Sequence, residues 1–151
     1  MNSESTLAQG DDLIRFIPQR PPFIMVDRLY ACDEKSVRTG FQPTGINIFS
    51  ENGLFTEPGL IENMAQSAAA GTGYFFITNG KEVPVGFIGA IKDFKLIQLP
   101  KVNELLETEI NVVAHVMNAS VIKAAVRCNG VDIAFCEMKI FLLDTSRPVA
   151  S

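Results

Sequence analysis

Between Pro58 and Asn79 the chain carries one charge, Glu62, in a stretch otherwise made of small and apolar residues. Ala65, Ser67, Ala68, Ala69, Ala70, Gly71 and Gly73 cluster in its middle. Pro58 suits the first turn of a helix and Asn79-Gly80 suits a left-handed terminus, so the pattern predicts one long helix over 59–76. Glycine inside a helix costs about 1 kcal/mol against alanine. Two of them therefore point to another backbone or a ligand coming close. Small residues on several sides allow such a helix to be enclosed rather than laid on a surface. A carboxylate is seldom fully buried unless it is paired. Glu62 is thus the leading candidate for function, with Gln66 on the same face one turn later. The structural alternatives are a buried glutamate satisfied by its neighbours and a glutamine that holds nearby backbone.

The rest of the chain reads as strands to wrap that helix. Asp11–Ile17 suits a short helix with an acidic cap. Phe23–Cys32 and Ser36–Phe41 read as a strand pair turning at Asp33-Glu-Lys35. Residues 42–56 read as a long loop broken by Pro43, Gly45, Asn47, Asn52 and Gly53. Four strands follow the helix, over 83–97, 104–117, 121–128 and 131–143, and are expected in meander order. Gly86 and Gly89 are candidate bulges, and Asn129-Gly130 is a strong hairpin signal. The expectation is one α+β domain over 1–151, an antiparallel sheet of about six strands around one central helix, with flexible tails at 1–9 and 145–151.

Composition narrows the classes. At 47% hydrophobic and 20% charged residues the chain is globular. A net charge of −4 disfavours nucleic acid as a partner. No run long enough to span a membrane is present. The N-terminus lacks signal-peptide features. Cys32, Cys128 and Cys136 show no metal-ligand spacing and suit free thiols in the cytoplasm. No nucleotide-binding glycine pattern occurs, so neither cofactor nor metal is expected. His115 is the only histidine and by alternation reads as a surface or groove residue. Asp27 and Arg28 read as ties for the N-terminal segment.

Three segments carry a family resemblance. Ile17-Pro-Gln-Arg-Pro-Pro-Phe-Ile-Met-Val-Asp-Arg28, Ile61-Glu-Asn-Met-Ala-Gln66 and Phe87-Ile-Gly-Ala-Ile-Lys-Asp-Phe-Lys95 resemble, in order and spacing, signatures of the β-hydroxyacyl-[acyl carrier protein] dehydratases. The resemblance covers roughly residues 10–143. It implies a hot-dog fold, a dimer whose sheets join edge to edge, and acyl tunnels at the subunit interface. It places the family's catalytic carboxylate at Glu62. The family's loop histidine has no counterpart in Asn47–Phe55, and its histidine before the first-signature arginine is replaced by Gln19.

Dehydration of a 3-hydroxyacyl thioester needs a base for the proton beside the carbonyl, an acid for the departing hydroxyl, and donors for the enolate-like oxygen. Glu62 is the candidate catalytic residue, placed to act on the hydroxyl or to position a water. Gly59 and Leu60, at the helix N-terminus, are the candidate N–H donors, and Gln66 would orient Glu62 or substrate. The resulting expectation is a dehydratase or hydratase, a lyase acting on groups carried by acyl carrier protein in fatty-acid or related synthesis. Two alternatives stand beside it. One is a hot-dog thioesterase acting on acyl-carrier or coenzyme A thioesters. The other is a non-catalytic acyl-binding subunit whose catalytic homologue supplies the histidine. A homodimer or an oligomer of dimers is expected, and the Lys92, Lys95 and Lys101 patch would steer an acidic carrier.

Overall fold

The computed structural model describes residues 5–143. The chain order is β1 (Ala8–Gln9), α1 (Asp11–Ile14), β2 (Arg28–Cys32), β3 (Ser36–Phe41), β4 (Ser50–Glu51), β5 (Leu54–Phe55), α2 (Glu57–Thr78), β6 (Val85–Leu96), β7 (Leu106–Val116), β8 (Ala119–Cys128) and β9 (Val131–Leu143). Seven strands form one antiparallel sheet in the order β1-β2-β3-β7-β8-β9-β6, while β4 and β5 form a separate hairpin. The sheet wraps α2, the hot-dog arrangement that the resemblance implies. No described helix is long and apolar enough to cross a membrane.

Helix α2 is enclosed because it has no broad polar face. Leu60, Met64, Ala70 and Gly71 lie buried on it together with Asn63, Gln66 and Ser67. The two glycines answer close approaches. A Cβ on Gly71 would stand 2.3 Å from Val37 Cγ2, and one on Gly73 would stand 2.0 Å from the backbone oxygen of Phe16. The helix ends as its sequence predicts. Gly80 has φ 70°, its N–H donates to Ile77 O at 3.0 Å, and Lys81 N–H donates to Phe76 O at 2.8 Å. These two bonds satisfy the last carbonyls in the reciprocal pattern that a left-handed glycine permits.

Four expectations need correction. The strands after the helix are not a simple meander: β7, β8 and β9 are, but β7 pairs with β3, and β6 crosses to the far edge beside β9. Residues 8–9, read as part of a flexible tail, pair with Leu29 and Arg28; the tail at 145–151 lies outside the described residues. The strand expected over 23–32 begins only at Arg28, because side chains of α2 take the backbone groups of Phe23 and Met25. The loop over 42–56 contains a hairpin, β4–β5, turning at Asn52 (φ 53°) and Gly53 (φ 79°). Asn129 (φ 52°) and Gly130 (φ 76°) make the same turn between β8 and β9, the geometry that Asn-Gly favours.

Edge strand β6 is long and exposes apolar residues on both of its faces, Val85 and Phe87 on one and Ile88 and Ile91 on the other. Val85, Phe87, Ile88 and Ile91 are between 37% and 55% exposed. Its register shifts between Ile88 and Ala90, at Gly89, one of the two glycines read as bulge candidates.

Candidate functional site

A polar ladder on α2 stitches the N-terminal segment to the helix. Met25 N–H donates to Gln66 Oε1 at 2.6 Å, and Gln66 Nε2 donates to Phe23 O at 2.8 Å and to Glu62 Oε2 at 3.0 Å. Asn63 Nδ2 donates to Met25 O at 2.7 Å, and Thr108 Oγ1 donates to Asn63 Oδ1 at 2.5 Å. Ser67 Oγ donates to Asn63 O at 2.7 Å and lies 2.6 Å from Thr39 Oγ1. Asn63, Gln66, Ser67, Thr39 and Thr108 are all fully buried. Buried polar groups persist when they are paired, and here their pairing fixes where the 23–25 backbone crosses the helix.

That crossing shapes a cavity of about 420 Å³ beside the N-terminal half of α2. Its floor is Ala65, Ala68, Ala69 and Thr72, small residues that leave room. Its walls come from Phe16–Gln19 on one side and Val83–Ile88 on the other. Glu62 lines it, half-buried, with one carboxylate oxygen held by Gln66. Gln19 lines it too, and its Oε1 is buried with no hydrogen-bond partner. Arg20 holds the Gln19 turn in place, its Nη1 donating to Ile14 O, Ile17 O and Gln19 O at 3.2, 2.8 and 2.7 Å.

A second cavity of about 330 Å³ lies further along α2 and shares Ala68, Thr72, Ile140 and Leu142 with the first. His115 lines it with Ile110 and Val112, its Nδ1 3.0 Å from Ser120 Oγ. The register of β7 shifts between Val112 and Ala114. This bulge breaks the alternation that would have set His115 apart from Val112, and it leaves the histidine in a groove lined by aliphatic side chains and also by Asp33, Glu34 and Ser120.

The candidate site residues separate. Glu62 opens on the first cavity. Gln66 does not line it; its amide bonds Glu62 on one side and the backbone of Phe23 and Met25 on the other. Leu60 is fully buried, and its N–H is committed to Thr56 O at 3.1 Å. Gly59 is buried, and a Cβ there would meet the Phe55 ring at 2.4 Å. Neither residue lines either cavity. Sequence reasoning passed over Asn63 and Ser67 as parts of the site's frame, and Gln19 as more than the replacement of a histidine.

Asp27, Arg28 and the three cysteines line neither cavity. Asp27 Oδ2 accepts from Gln42 N–H at 3.0 Å, and Arg28 Nε lies 3.5 Å from Asp27 Oδ1. Burial raises the Asp27 carboxyl above its ordinary value, outweighing that backbone bond and Arg28. Cys32, Cys128 and Cys136 are free thiols. Burial pushes both Cys128 and Cys136 up to about 11, so neither is a thiolate near neutral pH.

Residues 12–148 match the model of the ApeP-like family, described as ApeP dehydratase. The chain belongs to the ApeP-like dehydratase family. No sequence among the curated proteins matches it. Its fold is shared with solved structures of low identity. The dehydratase heterocomplex ApeI:P from Xenorhabdus doucetiae superposes with TM-score 0.75 at 13% identity, over 89% of this chain and 92% of that one. An uncharacterised protein from Pyrococcus horikoshii gives 0.68 at 11%, over 87% and 93%. A hypothetical thioesterase from Streptococcus pneumoniae, solved with coenzyme A, gives 0.60 at 12%, over 76% and 84%. These structures share the fold of this chain, and the family match is to a dehydratase family.

Proposed function

We propose that this ApeP-like protein is a dehydratase or hydratase of 3-hydroxyacyl groups carried as thioesters on acyl carrier protein, and that Glu62 is its proton-transfer residue. The observation that carries this reading is Glu62 itself, held by Gln66 at the wall of an apolar cavity whose floor of alanines admits an acyl chain. A single carboxylate can serve both halves of the reaction. As the carboxylate it takes the proton from C2. As the acid it gives that proton to the C3 hydroxyl, which leaves as water while the C2–C3 double bond forms. A positioned acid–base group contributes about 10²–10⁴-fold. The second cavity continues the first along α2 and offers room for a longer chain. Lys92, Lys95 and Lys101 are exposed, which suits an acidic carrier in the cytoplasm, on a pathway of fatty-acid or related acyl synthesis.

One observation favours a second reading. His115, the chain's only histidine, lines the second cavity and not the one that Glu62 lines. A partner carrying a histidine would complete the pair across a shared interface, and this chain would then bind the acyl group without turning it over alone. The fold relative ApeI:P is itself a dehydratase heterocomplex.

The deciding experiment incubates the pure protein with 3-hydroxyacyl and 2-enoyl carrier-protein thioesters and follows mass. Loss or gain of 18 Da is expected for the first reading. Release of free thiol points instead to a thioesterase. No change in either direction sinks the catalytic reading and leaves acyl binding alone as this subunit's part.

Dimerisation is expected through β6. A twelve-residue edge strand with exposed Val85, Phe87, Ile88 and Ile91 is a liability unless covered, and joining two such edges across a two-fold axis covers both. Light scattering at micromolar concentration should give twice the chain mass; a clean monomer would contradict this.

A further inference from the structure

We infer that Ala68 sets the acyl chain length, as the gate through which chains longer than about ten carbons pass from the first cavity into the second. The inference rests on the acyl-thioester reading of the first cavity and names its substrate class as long acyl chains.

Helix and sheet place the gate independently. Four residues line both cavities, Ala68 and Thr72 from α2 and Ile140 and Leu142 from β9. Along α2 the lining steps from Glu62 through Ala65 to Ala68 in the first cavity, and from Ala68 through Thr72 to Phe75 in the second. Steps of three and four stay on one helix face. Across the sheet, Ile88 pairs with Ile140, Ile140 with Ser120, and Ser120 with His115. Ile88 lines the first cavity alone, Ile140 lines both, and Ser120 and His115 line the second alone. The two cavities are thus consecutive stretches of one passage between α2 and the sheet, and Ala68 and Ile140 mark where they meet.

The length follows from the helix. Ala68 stands six positions after Glu62, which is about 9 Å along the axis. That span takes roughly seven carbons at a C–C bond of about 1.5 Å drawn in by its zigzag. With C2 and C3 at Glu62, a chain of about ten carbons ends at the junction. Ala68 is the smallest of the four shared residues, so the opening depends on it. Beyond it a chain meets Ile122, Ile140, Leu142 and Phe75, aliphatic and aromatic surface that favours each further methylene.

The test is titration calorimetry with acyl-pantetheine amides, in which nitrogen replaces the reactive sulfur, from hexanoyl to tetradecanoyl. Wild type should bind more tightly at each step and keep gaining past decanoyl, at roughly fourfold per buried methylene. Ala68→Leu fills the junction. It should bind hexanoyl and octanoyl as wild type does, gain nothing past decanoyl, and so bind tetradecanoyl about 10²-fold more weakly. Leu142→Phe narrows the same opening from β9 and should give the same plateau should Ala68→Leu not fold. Variants that keep the wild-type gain past decanoyl overturn the assignment. So does an equal loss at every length, which makes Ala68 part of the floor and no gate. A wild-type plateau at decanoyl overturns it as well, and leaves the acyl-thioester reading standing. If wild type binds no member of the series, that reading falls first and this inference falls with it.

Discussion

Glu62→Gln lowers turnover by about 10²-fold or more, the loss expected for removal of a general acid or base, while the protein still folds. The substitution keeps the side chain's length. Its amide oxygen can accept from Gln66 Nε2 as Glu62 Oε2 does at 3.0 Å, so stability should change by no more than about 1–2 kcal/mol. The check is a steady-state assay on the substrate that wild type turns over, beside a urea titration of both proteins. Full activity in the mutant would remove Glu62 from the chemistry. An unfolded mutant would make it structural and strengthen the acyl-binding reading. His115→Ala belongs in the same assay and should matter less, because His115 lines the other cavity.

Gly73→Ala is expected to be among the most damaging single-methyl additions in the molecule. The new Cβ would meet Phe16 O, C and Cα at 2.0, 2.7 and 2.8 Å, all of them backbone. No rotamer change relieves that contact, so α2 and the Phe16–Gln19 turn must move apart. Overpacking typically costs about 1–3 kcal/mol and sometimes more; a clash with rigid backbone belongs at or above about 3 kcal/mol. Against a total stability of about 5–15 kcal/mol for a domain, that puts folding itself at risk. Gly45→Ala is the control, with nothing within 4 Å of its Cβ, and should stay within about 0.5 kcal/mol. Chemical denaturation of the two variants checks the pair. Near-equal midpoints would mean that the helix and the turn do not approach as closely as the structure places them.

The sequence made the helix legible because its signals are local. Small residues, a lone carboxylate, a proline near one end and Asn-Gly at the other all lie within about twenty-two positions. Ser36–Phe41 and Val131–Leu143 were legible for the same reason, with runs of strand-forming residues bounded by turns. What could not be read was long-range pairing. Nothing in Val85–Leu96 says that its neighbour is β9 and not β7, since either pairing hides the same face. Asn52-Gly53 carries the same turn signal as Asn129-Gly130 but is flanked by strands of two residues, too short for a pattern. Asn63 read as an ordinary helix residue because the groups that it satisfies, Met25 O and the Thr108 hydroxyl, lie 38 and 45 positions away. Within the site, Glu62 was visible as a charge out of place. Gln19 was not, because an unpaired acceptor exists only once the walls around it are assembled.

The strand order also dictates when the molecule can be finished during synthesis. The strand that directly follows the helix, β6, finds its partner only in β9, roughly 35 residues further on, or about 2–7 s at ordinary rates of chain elongation. Until then a twelve-residue ribbon of Val85, Phe87, Ile88 and Ile91 is open to any other nascent chain, and one flank of the helix has no cover. Pairing β6 with β9 also requires the chain between them to be drawn in, which makes the step slow. The molecule is thus most exposed to misassembly just before its last strand emerges, when a homologous β6 edge nearby would be the nearest surface that fits.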